Sequence, residues 1–194
     1  MNMPAGTAPA LQGSRRQGAV RHGNSLWAPA AVAMAVGTAY IVFAAWQWSQ
    51  FAVKSWDLSI FAQLLDRYSQ LQAPIVTVKG EGYNLLGDHF HPLLALLAPV
   101  YAAFPHAFTL LVVQALCFAA AAGMFTRAAQ RELGAAAGVV LGLAFGLSWG
   151  LQHAAEAQFH EVALAVPLLT GSLIAVLEGR WKAAATWAAP LTAA

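Results

Sequence analysis

Residues 26–48 contain no Asp, Glu, Lys or Arg, and Trp27, Trp46 and Trp48 stand at their edges. A membrane helix needs about 20 apolar residues at about 1.5 Å each to cross about 30 Å of hydrocarbon, and tryptophans favour its two interfaces. The pattern predicts a first span over 26–48. A second charge-free tract, 92–126, is too long for one straight crossing and is interrupted by Pro105. It divides into a short interfacial helix over 92–104 and a span over 106–125. Charge-free runs at 134–151 and 162–177 predict two further spans. Residues 183–194 begin a fifth helix with Pro190 inside it. About 18 Å of helix does not cross a bilayer, so this span is incomplete and the chain reads as a fragment of a longer protein.

Between the first two apolar tracts lies a long outer loop, 49–91. Its apolar residues Leu58, Phe61, Leu64, Leu65, Tyr68 and Leu71 follow i, i+3, i+4, i+7 spacing, which predicts an amphipathic helix over 58–71 lying along the membrane interface. Asp57 stands at its head, either as an N-cap accepting from free backbone N–H groups or as a catalytic carboxylate at headgroup level. In the third span Gly134, Gly138, Gly142, Gly146 and Gly150 recur every four residues. Such a ladder lets another helix approach the backbone closely. The partner is a second span of the same chain or a second copy.

Composition sharpens the class. Hydrophobic residues make up 59% and charged residues 9%, with a mean hydropathy of +0.58, against about 25% charged in soluble domains. The fold class is therefore all-α, a polytopic transmembrane bundle in contact with membrane lipid. A net charge of +2 makes no basic patch and speaks against a nucleic-acid partner. One cysteine, Cys117, cannot form an internal bridge. Placing the N-terminus in the cytoplasm puts Arg15, Arg16, Arg21, Arg127, Arg131, Arg180 and Lys182 inside, leaving Lys54, Arg67 and Lys79 outside. The positive-inside rule favours this orientation in a multi-pass membrane protein. Residues 1–25 read as a disordered cytoplasmic tail, and the apolar run after them exceeds a signal peptide's h-region.

The polar residues gather on the outer side. Asp88, His89 and His91 fall within one short stretch where the chain re-enters the membrane. His153, Glu156 and His160 are spaced i, i+3, i+7, which on a continuous helix puts them on one stripe, with Glu161 some 80° away. Polar side chains in so apolar a chain mark a functional or water-lined surface. Together with Asp57 these groups form a candidate mixed oxygen and nitrogen site for metal or phosphate, suited to Mn²⁺, Zn²⁺ or Mg²⁺. The spans carry no charged side chain, which disfavours an ion or proton transporter.

The segments Trp56-Asp57-Leu58-Ser59-Ile60-Phe61-Ala62-Gln63, Leu86-Gly87-Asp88-His89-Phe90-His91-Pro92 and Phe159-His160-Glu161-Val162-Ala163 resemble the bacterial predicted-membrane-protein family of domain of unknown function 2079. That family is similar in turn to the GT-C glycosyltransferases, which take sugars from polyprenyl-phosphate donors. The resemblance implies that Asp57 activates an acceptor hydroxyl or helps hold a metal, while Asp88, His89 and His160 bind the metal or the leaving phosphate. The competing expectation is a non-catalytic packing or assembly subunit, built around the glycine ladder.

Overall fold

A computed structural model of the chain describes residues 26–52, 56–88 and 91–193. The readings made above on residues 1–25, Lys54 and His89 lie outside these. Among the described residues there is no strand, only an isolated antiparallel bridge between Ile75 and Asn84. The helices are α1 (Trp27–Ser49), α2 (Asp57–Ser69), α3 (Ala98–Ala103), α4 (Ala107–Leu133), α5 (Ala135–Gly146), α6 (Trp149–Glu156), α7 (Val162–Leu177) and α8 (Trp181–Ala188). Among the described residues, three stretches are long and apolar enough to cross a membrane: Trp27–Ser49, Ala107–Leu133 and Ala135–Glu156, the last being α5 and α6 together. Val162–Leu177 is a shorter apolar helix, about 24 Å long at 1.5 Å per residue. Met34, Val42, Val140 and Leu173 are exposed on these helices, as suits side chains in contact with lipid.

Several boundaries differ from the sequence expectation. The second span does not stop at 125 but runs through Arg127 and Arg131 to Leu133, because long basic side chains at a helix end extend toward water without breaking the helix. Its start is capped by His106, whose Nδ1 accepts from the Phe108 N–H at 3.1 Å. The third span is not continuous over 134–151. Gly134, with φ +91°, is the turn between α4 and α5. A second break, at Leu147 and Ser148, separates α5 from α6. Carbonyls released by that break need partners in a bilayer, and side chains supply them: Tyr40 Oη donates to Gly146 O at 2.9 Å and Gln152 Nε2 to Leu147 O at 2.5 Å.

The break also divides the glycine ladder. A Cβ at Gly138 would overlap Gln130, and one at Gly142 would overlap Thr126 Oγ1, both on α4. At Gly146 a Cβ would come within 2.6 Å of Val36 on α1. Gly150, on α6, has nothing within 4 Å. The three middle glycines therefore pack against helices of their own chain, and Gly150 packs against nothing through this device.

Two apolar clusters hold the molecule. One, within the bundle, joins Val32, Val36 and Tyr40 of α1 to Ala115, Phe118 and Ala122 of α4, with Leu151, Ala155 and Ala163. The other forms a cap, in which Leu58, Phe61, Leu64 and Leu65 of α2 meet Val76, Leu85, Leu94, Tyr101, Leu110 and Phe159. The predicted stripe of α2 is thus present, and the surface it covers is protein. Leu71 is not part of it: the helix ends at Ser69, and Leu71 has φ +55° and is 96% exposed. The short helix expected over 92–104 is present as Pro92–Ala103, its first half wound as tight 3₁₀ turns over Pro92–Leu97 that run directly into α3.

After α7, Gly179 (φ +69°) turns the chain into α8, and Ser172 Oγ donates to Ala184 O at 3.1 Å across this hairpin. Residues 189–193 continue as a 3₁₀ turn, so the expected fifth helix is α8 plus this turn, beginning at Trp181. Glu178 closes α7 and takes hydrogen bonds from Arg180 and from Arg131 of α4, the latter at 2.8 Å. The Arg180 bond foremost, with Arg131, holds the Glu178 carboxyl below its ordinary range. A carboxyl depressed on folding stabilises above its unfolded pKa, near 4.3, and that contribution is lost as pH falls through its folded value. Glu178→Gln should therefore lower the unfolding midpoint slightly at pH 7, an exposed pair being worth about 0.2–1 kcal/mol. In thermal scans the gap between variant and wild type should close below about pH 4 and in high salt.

Candidate functional site

Three separate segments bring the polar groups together at the cap. Asp57 is the first residue of α2; the cap position is Trp56, with no side-chain hydrogen bond. The N-cap expectation for Asp57 thus shifts by one residue, and its carboxylate lies in the first turn, where free N–H groups favour negative charge. His91 ends the loop before Pro92. His160 and Glu161 lie between α6 and α7, Glu161 occupying the cap position of α7.

These four side chains form a string. His160 Nε2 lies 3.9 Å from Asp57 Oδ2, and its Nδ1 lies 2.8 Å from Glu161 Oε2. The other Glu161 oxygen, Oε1, is 3.3 Å from His91 Nε2. Glu161 is 6% exposed, whereas the Asp57 and His160 side chains are about two-fifths exposed. One buried carboxylate thus lies between two imidazoles, against Nδ1 of one ring and Nε2 of the other. The outward imidazole nitrogen and the Asp57 oxygen then face one another at the surface. Phe61 supports the arrangement, with its ring 5.6 Å from Phe159 and 6.2 Å from His160 between centroids.

The remaining candidates divide. Asp88 pairs with Lys79. That hydrogen bond foremost raises the Lys79 pKa above its ordinary value, with a smaller contribution from Asp57, so the ammonium and both carboxylates share one electrostatic neighbourhood. His153 and Glu156 do not join the string. Their Nδ1 and Oε2 atoms are 3.5 Å apart, and they line a separate pocket of about 350 Å³ with Tyr40, Phe43, Trp149 and Gln152. The expected stripe through 153, 156 and 160 fails because α6 ends at Glu156 and Gln158 adopts φ +69°, which swings His160 off the helical path. Among the described residues, no three His, Cys, Asp or Glu side chains group so as to hold a metal ion.

Sequence reading missed the amides behind the site. Gln114 of α4 accepts from His160 N–H at 3.1 Å and donates to Gln158 O at 3.0 Å. Gln47 of α1 donates to Glu156 O at 3.1 Å, and Gln158 Nε2 donates to Ala52 O, also at 3.1 Å. All three glutamines are buried. The available signal was a neutral amide inside each of two otherwise apolar spans, which is costly unless it finds a partner.

No curated protein and no solved structure matches the chain. A family model described as predicted membrane protein (DUF2079) matches residues 48–194, which takes in every residue of the string and all helices after α1. The chain belongs to this family of predicted membrane proteins of unknown function.

Proposed function

We propose that the chain carries the outer-face site of a GT-C-like glycosyltransferase that uses a polyprenyl-phosphate sugar in a bacterial inner membrane, its N-terminus in the cytoplasm. The observation that supports this best is the 3.9 Å approach of His160 Nε2 to Asp57 Oδ2, with the imidazole backed by buried Glu161. In this reading Asp57 removes the proton from an acceptor hydroxyl, and the resulting oxygen attacks the anomeric carbon. The bond from that carbon to the phosphate oxygen breaks, and its electron pair leaves with the phosphate. His160 hydrogen-bonds the departing phosphate while Glu161 holds the ring, and Lys79, beside Asp88, adds positive charge. Such placement of a base and of donors at developing charge is what glycosyl transfer requires. A divalent metal, Mn, Mg or Zn, would add charge at the phosphate; the steps described use the chain's own residues alone.

The rival reading, an assembly subunit docking through the glycine ladder, is less favoured because Gly138, Gly142 and Gly146 are covered by α4 and α1. The test is turnover of a labelled polyprenyl-phosphate hexose by the full-length protein in liposomes. Release of polyprenyl phosphate is expected, and Glu161→Gln should lower kcat about tenfold or more by freeing the His160 ring. No turnover by wild type, with either an alcohol or a lipid acceptor, would overturn the proposal.

A further inference from the structure

The turn that carries His160 adopts a conformation its sequence does not favour. Gln158 has φ +69°, in the left-handed region where a Cβ crowds the following carbonyl and glycine fits best. It is also 1% exposed, and its Oε1 has no hydrogen-bond partner. A strained, buried amide persists only when its surroundings over-determine it. Here they do. Gln114 of α4 holds the backbone on both sides of Phe159, through Gln158 O and His160 N. The Gln158 side chain reaches the other way, to Ala52 O at the end of α1, just ahead of Asp57 in the chain.

We infer that Gln158 is a positioning residue whose side chain ties the His160 turn to the end of α1 and so sets His160 opposite Asp57. The inference rests on the reading of Asp57 and His160 as one site. Packing of Phe159 on Phe61 fixes the turn against α2, and Gln114 fixes it against α4. The Gln158 amide adds a tie to Ala52 O, next to the one that Gln47 of α1 makes to Glu156 O. Glycine would satisfy the backbone without strain but make no tether.

The test uses full-length protein in nanodiscs with ¹⁵N-labelled histidine. Asp57→Asn is introduced into wild type, Gln158→Gly and Gln158→Ala, and the His160 Nε2 resonance is followed. The substitution is expected to shift that resonance in wild type and to leave it unmoved in both Gln158 backgrounds, while transfer shows kcat lowered about tenfold or more at unchanged KM. A shift that persists in both Gln158 backgrounds overturns the tether alone. Absence of any shift in wild type overturns the Asp57–His160 pair and this inference with it. Gln158→Gly carries the test if the alanine variant fails to fold; if neither folds, Gln158 is a folding residue and the positioning role is overturned.

Discussion

Asp57→Asn should reduce sugar transfer by a factor of about 10² to 10⁴, the range over which a positioned general base accelerates a reaction. Asparagine keeps the shape of the side chain and a carbonyl oxygen facing His160 Nε2, but it cannot take a proton. The effect on folding should be small. The Asp57 side chain is about two-fifths exposed, and its favourable position in the first turn of α2 is worth only about 0.3–1 kcal/mol. Membrane insertion and the unfolding midpoint should therefore stay near wild type while kcat collapses. Measuring both in one preparation separates loss of chemistry from loss of structure. Full activity in the asparagine variant would remove Asp57 from the reaction.

Gly142→Leu should have the largest structural effect. Any Cβ at this position would overlap Thr126 Oγ1, and Thr126 cannot move aside: it is fully buried, and its hydroxyl donates to Ala122 O at 2.7 Å. The α4–α5 pair would have to separate along its length, so the cost should reach or exceed about 3 kcal/mol, the upper part of the range for overpacking. The variant is expected to unfold at markedly lower temperature or denaturant in detergent. Gly150→Ala supplies the contrast. It has open space around it and lies within α6, where alanine is the better helix former by about 1 kcal/mol. Thr126→Gly combined with Gly142→Ala should recover most of what Gly142→Ala alone loses, because the overlapping group is then absent. Equal tolerance of leucine at 142 and alanine at 150 would contradict the close approach of the two helices.

How much of this was readable depends on what marks each feature. The span over α1 was legible because a charge-free run between tryptophans admits one interpretation, and observed and expected limits differ by one residue at each end. The stripe on α2 was legible from spacing, but the identity of its cover was not, since apolar residues suit a lipid surface and a protein cap equally. Leu71 extended the pattern by chance. The end of α4 was misplaced because charged residues were taken to end the span, whereas Arg127 and Arg131 sit on the helix itself. The break between α5 and α6 was invisible because glycine spacing continues through it. At the site, Asp57, His91, His160 and Glu161 attracted attention as polar groups in a greasy chain. Their partition from His153 and Glu156 depends on one residue, Gln158, whose left-handed backbone no composition rule would anticipate.

The position of Phe159 has one more implication. It belongs to the cap cluster, while Ala155 and Ala163 on either side of it belong to the bundle cluster, so the segment bearing His160 and Glu161 is stitched into both halves of the fold. Neither half alone can present the string of acids and imidazoles. Because synthesis proceeds from the N-terminus, Asp57 and His91 are made and waiting before their counterparts leave the ribosome. The string of acids and imidazoles is accordingly complete only once residues 160 and 161 have been made.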